Sequence, residues 1–399
     1  MNRVFTGISE LYTPKERLEQ AAFAVQDGQF VWVGTESSLP GDYRSWPRTD
    51  LGGRGVVPGL VDAHTHLVYA GERLGEYLQR ARGESYEAIL AAGGGIYSTV
   101  RATAAASEEE LYELARARAH IVLAQGVTTL EIKSGYGLLP EAELKMLRVI
   151  RRLKATLPQQ VFPTLLAHVV PQGWARGQYV EMFCQELIPE VARSGLALAV
   201  DVFCDQGAFT LEETRAILEA ALSHGLKVKL HAEQLAHTGA TRLAAEMGAL
   251  SADHLEQATP EDWRALAQSG TVGTVLPGAA VILRKPFPNA RAMWDVGVKV
   301  AIASDHNPGS SPLFSPWLAM QLTMSLGNLS AEEALLAHSE NAALALGRRN
   351  LGKIEVGARA DFVVVDSAHA LKPLYYWGTH PIQSVYIHGH NTFSHTPRA

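Results

Sequence analysis

Cysteine is nearly absent from this 399-residue chain, which carries only Cys184 and Cys204. That scarcity excludes a disulfide-stapled scaffold and any zinc site built from thiolates. Charge of one sign is equally short of a pattern: 35 basic and 41 acidic side chains give a net charge of −6, with no long like-charge block. Without a basic patch to neutralise phosphates, nucleic acid is not expected as a partner. Long apolar runs are missing too. No uninterrupted stretch reaches the roughly 18 residues that span a bilayer, and Met1 to Glu10 lacks the basic-then-apolar pattern of a secretory signal. No membrane partner is expected, and the expected location is cytoplasmic. The sequence contains neither a Gly-x-Ser-x-Gly elbow nor a His-Glu-x-x-His pair. Gly347 to Lys353 has P-loop spacing, but Ile354 stands where the magnesium-binding hydroxyl belongs, and a strand follows instead of a helix.

What is present is a long alternation of short apolar runs and helix patterns over residues 58–345, the signature of parallel βα units. Eight runs can be counted, at 59–63, 128–132, 162–167, 198–203, 227–230, 250–253, 271–276 and 298–303. Helix starts fall between them. Ser107-x-x-Glu110, Thr210-x-x-Glu213 and Ser330-x-x-Glu333 fit the capping box, and Thr259-Pro260 pairs an N-cap with proline at the first helical position. Eight strands with intervening helices over this length predict an α/β fold, a (β/α)8 TIM-type barrel. Residues 1–57 and 346–399 read instead as short β segments, with Asp27-Gly28 marking a hairpin turn. They are expected to form one small β-sandwich domain from both chain termini, with the barrel inserted between its halves. The longest insertion, 67–126, carries Gly93-Gly94-Gly95 and is the segment expected to move.

Polar residues fall at the ends of these runs, which in a barrel means the catalytic face. The first run ends in His64-Thr65-His66, the third in His168, the fourth in Asp205, the fifth in His231, the sixth in His254 and the eighth in Asp305-His306-Asn307. In an extended chain residues i and i+2 face the same way, so His64 and His66 can chelate one ion. Imidazole nitrogens with one carboxylate suit zinc or iron(II) and leave a position open for water. The expected cofactor is therefore one divalent metal ion, zinc or iron, on His64, His66, His231 and Asp305. His306 is expected to play a supporting part. The second HxH, His388-Gly389-His390, sits at a turn near the end of the chain and is assigned no function. Lys133 is expected to form an ion pair, and it alone reopens the question of a second metal.

Val57-Pro58-Gly59-Leu60-Val61-Asp62-Ala63-His64-Thr65-His66 resembles the first-strand signature of the amidohydrolase superfamily, and Gly352 to Asp366 resembles its C-terminal β motif. Four further segments are more specific. They are Gly93-Gly94-Gly95-Ile96 with Ser98-Thr99-Val100, Glu131 to Gly137, His231-Ala232-Glu233-Gln234, and Asp305 to Ser310. Together they resemble the imidazolonepropionase family, hydrolases of histidine degradation, over essentially the whole chain. The resemblance implies 4-imidazolone-5-propanoate as the small-molecule substrate and N-formimidoyl-L-glutamate as product. It implies substrate contacts from Arg73, Tyr136, His168, Gln234 and Ser310, and contacts to substrate or product from Asn307 and Gly309. Glu233 and His254 are expected near the attacking water, Asp305 as the proton carrier, and the assembly as a homodimer. The alternative is a related amidohydrolase or deaminase acting on another cyclic amide or a purine-like ring. The superfamily shares its metal site across many substrates, so Arg73 and the 131–137 segment are what separate the two readings.

Overall fold

The computed structural model describes residues 2–84, 94–379 and 381–395. Eight parallel strands lie side by side in chain order: β5 (Leu60–Asp62), β6 (Val127–Lys133), β7 (Gln160–Ala167), β8 (Ala199–Cys204), β9 (Lys227–Ala232), β10 (Ser251–His254), β11 (Val272–Val275) and β12 (Val300–Ile302). A parallel bridge joins Thr65 to His306, the His66 amide donates to the His306 carbonyl at 2.9 Å, and the Asp305 amide donates to the His64 carbonyl at 3.0 Å. These contacts bring the end of β12 onto the end of β5 and close the barrel. Each apolar run of the sequence holds one strand, with its ends displaced by no more than two residues. Strand β6 is buried at every position, as expected of a strand covered on both faces.

Thr210 with Glu213 and Ser330 with Glu333 form complete capping boxes, and Thr259 forms one with Asp262 behind Pro260. Ser107 accepts the Glu110 amide alone. Helices Leu74–Ala81, Ile96–Ala105 and Glu108–Leu123 fill the insertion between β5 and β6. Gly93, part of the expected mobile triplet, lies outside the described residues. Among the described residues no helix is long and apolar enough to cross a membrane.

The two ends of the chain build a separate mixed sheet. It comprises β1 (Asn2–Tyr12), β2 (Arg17–Gln26), β3 (Gln29–Thr35), β4 (Arg48–Pro58), β13 (Phe362–Val365), β14 (Ile382–Ile387) and β15 (His390–Ser394), in the order β15-β14-β13-β4-β1-β2-β3. Asp27 and Gly28, at φ +50° and +78°, make the β2–β3 turn, the two left-handed residues that match hairpin twist. The layered core expected of a sandwich is made by this one sheet curled on itself. Edge strand β3 returns to the segment entering β13: the Phe30 amide donates to the Ala358 carbonyl at 3.0 Å and the Ala360 amide to that of Gly28 at 2.8 Å. Phe5, Phe23, Phe30, Phe362 and Tyr386 pack inside, with Phe362 stacked on Tyr386 at 4.5 Å between ring centroids and edge-on to Phe23 at 4.9 Å. The His388-Gly389 turn lies in this sheet, between β14 and β15.

Candidate active site

Strand ends deliver the reactive side chains to one place because the barrel converges there. His64 and His66 follow β5, His231 lies near the end of β9, His254 ends β10, and Asp305 follows β12. His64 Nε2 and His66 Nε2 approach Asp305 Oδ1 at 3.5 and 3.3 Å. The His231 ring lies 4.4 Å from that of His64 and 5.3 Å from that of His254, between centroids. Two groups of donors able to hold an ion result, His64–His66–Asp305 and His64–His231–His254, joined through His64. His64 Nε2 is buried with no hydrogen-bond partner among the described residues. The donor set therefore fits a divalent ion: an orphaned imidazole nitrogen, further imidazoles and one carboxylate converge.

Carboxylates fix the rings from behind. His64 Nδ1 donates to Asp253 Oδ2 at 2.6 Å, and His231 Nδ1 lies 3.1 Å from Asp201 Oδ2. Each arrangement leaves Nε2 for the cluster, as in carboxylate–histidine–metal triads. Burial, followed by the Lys133 charge, holds the His64 imidazole well below its usual value, and burial likewise lowers His231. Both stay neutral, the form that binds metal. Burial alone would raise Asp305, but His66 and His254 outweigh it and keep it ionised. For His254, burial opposes protonation and Glu256, at 3.5 Å, more than reverses it. Asp305 and His254 take left-handed backbone, φ +52° and +87°, strain of the kind that clusters at reactive centres.

Beneath the histidines lies a buried ionic layer. Lys133 Nζ is 2.6 Å from Asp201 Oδ2 and 2.7 Å from Glu131 Oε2, and Lys229 Nζ is 2.8 Å from Glu131 Oε2. All four side chains are within 1 % of complete burial. Burial would lower Lys133, but Asp201, Glu131 and Asp253 outweigh it and raise its pKa.

Above the cluster opens a cavity of about 630 Å³. Arg73, Tyr136, His168, Gln234, Asn307, Gly309 and Ser310 all line it, together with His66, His231, His254 and Asp305. Arg73 is held by Glu76, through Nε at 2.7 Å and Nη2 at 2.6 Å, with Nη1 against Gly309. A Cβ at Gly309 would come within 2.1 Å of that Nη1, so the close approach requires glycine. His168 has its pKa pushed down to about 3, by burial first and then by His66 and His231.

Two expectations change. Glu233 does not line the cavity: Oε1 accepts the Gly239 amide at 2.7 Å, and Oε2 accepts the Thr241 amide at 2.8 Å and the Thr241 hydroxyl. Its carboxylate is engaged by the amides that open helix Ala240–Glu246, and so is unavailable to an attacking water. Asn307 lines the cavity, but its side-chain oxygen accepts the Gly309 and Ser310 amides at 2.8 and 2.7 Å, while its nitrogen donates to the Asp305 carbonyl at 2.7 Å. It shapes the turn that presents Gly309 and Ser310. His306 packs on Phe314 at 4.0 Å, with Nε2 3.2 Å from the Tyr69 hydroxyl.

Sequence reasoning missed the residues that hold the loops. Buried Glu143 accepts the amides of Gly135, Gly137 and Leu138 at 2.8, 2.8 and 2.6 Å, fixing the turn that carries Tyr136. Asp205 accepts the Gln234 and Leu235 amides, both at 2.8 Å. Asp201 and Asp253 gave one usable signal: charged residues at alternate positions within apolar runs, as in Glu131/Lys133 and Lys229/His231, imply a polar barrel axis.

The model of the Amidohydrolase family matches residues 56–392. An imidazolonepropionase of Deinococcus radiodurans is 48 % identical over 97 % of this chain and 98 % of its own length. Another, of Geobacillus thermodenitrificans, is 46 % identical over 92 % of this chain and 89 % of its own. Among solved structures, an adenosine deaminase from Xanthomonas campestris with bound zinc aligns with a TM-score of 0.71 and 21 % identity, covering 98 % of this chain and 93 % of that one. This last likeness concerns the fold.

Proposed function

The chain belongs to the amidohydrolase family, and from that premise, with its full-length likeness to imidazolonepropionases, we propose a complete account of its reaction. The activity is metal-dependent hydrolysis of the cyclic amide 4-imidazolone-5-propanoate to N-formimidoyl-L-glutamate, a step of histidine degradation. The observation that carries the residue assignments is the cavity: its floor is the His/Asp cluster, and its walls carry Arg73, Tyr136, His168, Gln234, Gly309 and Ser310, with Asn307 holding the turn that presents the last two.

His64, His66, His231 and Asp305 hold one divalent ion, zinc or iron. That ion, when bound, supplies a Lewis acid for the amide carbonyl and lowers the pKa of water. Asp305 accepts the proton of the attacking water and delivers it to the ring nitrogen as the carbonyl carbon–nitrogen bond breaks. The carbonyl carbon becomes the new carboxylate while still bonded to the carbon that bears the propionate, and the nitrogen stays in the formimidoyl group, so the product is one molecule. His254, backed by Glu256, steadies the developing oxyanion. Arg73, fixed by Glu76, presents Nη1 to the propionate carboxylate, with the planarity that lysine lacks. Tyr136, His168, Gln234 and Ser310 position the ring and its side chain. The same reading divides the chain into a barrel over 58–345 and a terminal-sheet unit from 1–57 and 346–399, and it includes a cytoplasmic homodimer.

The test is turnover of 4-imidazolone-5-propanoate, generated in situ by urocanase, by metal-replete and chelator-treated protein. Loss of the substrate's ultraviolet absorbance only with metal is the expected result. No loss with metal shown to be bound would overturn the substrate and favour another cyclic amide or a deaminase reaction.

A further inference from the structure

The ionic layer under the histidines has the form of an oxygen cage around a cation. Glu131 Oε2, Asp201 Oδ2 and Asp253 Oδ2 converge on Lys133 Nζ at 2.7, 2.6 and 3.9 Å. They come from three different strands, β6, β8 and β10. Asp201 and Asp253 also form, with His64, a third group whose donor atoms all lie within 4.8 Å of one another. Asp201 Oδ1 and Asp253 Oδ1 are buried with no hydrogen-bond partner among the described residues. Three buried carboxylates thus face two ammonium groups, those of Lys133 and Lys229. Lys229 lies 2.8 Å from both Glu131 Oε2 and the Ala63 carbonyl and 3.6 Å from Asp253 Oδ2, so it shares two of the three carboxylates, while Asp201 pairs with Lys133. Hard oxygen donors collected around one positive charge are what a divalent cation requires.

We infer that the Lys133 ammonium occupies a latent second cation site made by Glu131, Asp201 and Asp253, and that it limits the chain to one divalent ion. The inference rests on the one-ion reading above. His64 links the two positions: Nε2 faces the Asp305 side and Nδ1 faces Asp253. A resident ammonium keeps Asp201 and Asp253 free to orient His231 and His64. A metal in its place would draw those carboxylates into its own coordination. Removing the ammonium leaves buried carboxylate charge uncompensated, which favours uptake of a replacement cation.

The experiment measures manganese bound per chain, by elemental analysis and electron paramagnetic resonance, in wild type, Lys133→Met, Lys133→Gln and Lys133→Arg. Wild type and Lys133→Arg are expected to hold one ion. The two neutral variants are expected to hold two, with a spectrum broadened by the neighbouring ion. A folded neutral variant that still binds one ion overturns the inference. If both neutral variants unfold, added Mn2+ must restore cooperative melting, and failure to do so also overturns it. Wild type binding two ions would instead overturn the one-ion reading on which the inference stands, and with it the inference.

Discussion

Around the barrel axis Glu131, Lys133, Asp201, Lys229 and Asp253 are buried side by side, whereas in the terminal sheet Phe5, Phe23, Phe30, Phe362 and Tyr386 fill the equivalent place. Both interiors exclude water, but they use the exclusion differently. In the sheet it produces stabilisation that needs no particular geometry beyond close packing. In the barrel it makes each ionic contact strong and directional, so that carboxylates aim histidines. The barrel's main apolar cluster lies where strand residues such as Leu130, Val200 and Leu230 meet helix residues such as Leu147 and Ile217. Division of labour follows: substitutions on the axis are expected to act on the metal and on turnover, and those in the aromatic core on stability alone.

The largest effect is expected at the axis. His231→Ala should lose bound metal and turnover together, exceeding the roughly 10–100-fold that loss of an outer-sphere partner costs. Metal content and rate measured on the same preparation check this, and retention of both would remove His231 from the ligand set. In the sheet, Phe362→Ala should lower unfolding free energy by about 3–5 kcal/mol while the folded fraction keeps wild-type kcat and metal content. Denaturant titration beside steady-state assays decides it, and a fall in kcat at full metal occupancy would break the division of labour.

The smallest effect sharpens the comparison at a barrel histidine that carries no charge. His338 is fully buried, and burial pushes its pKa down to about 4. The unfolded chain therefore binds the proton first. The stability held by the neutral ring is complete above about pH 6.5 and is lost as pH falls toward 4, by up to about 1.4 kcal/mol per pH unit. His338→Gln should flatten that acid limb in thermal melts between pH 4 and 6.5. An unchanged slope would show that other groups control it.

The barrel was legible because its strands are buried on both faces and so read as short, mostly apolar runs, and the clustered histidines because they fall at the ends of those runs. Strand limits moved by a residue or two where polar ends such as His254 continue the ladder. Glu143, Asp205 and Glu233 were not legible as loop organisers. Their carboxylates accept amides from turns whose proximity exists only after folding; Asp205 reaches across from the end of β8 to the loop after β9. Glu233 shows the same cause from the other side: the family resemblance placed it near the attacking water, while in the fold the helix N-terminus beside it takes up both oxygens.

The bridge between Thr65 and His306 has a temporal consequence. His64 and His66 leave the ribosome with the first barrel strand and Asp305 with the last, so the full ligand set exists only once the ring of strands has closed. During synthesis, where earlier segments fold before later ones arrive, the nascent chain holds at most a partial chelate. With the proposed ligand set, metal capture would report completed biogenesis, because a chain truncated before β12 lacks Asp305 and, of the two donor groups joined through His64, keeps only His64–His231–His254.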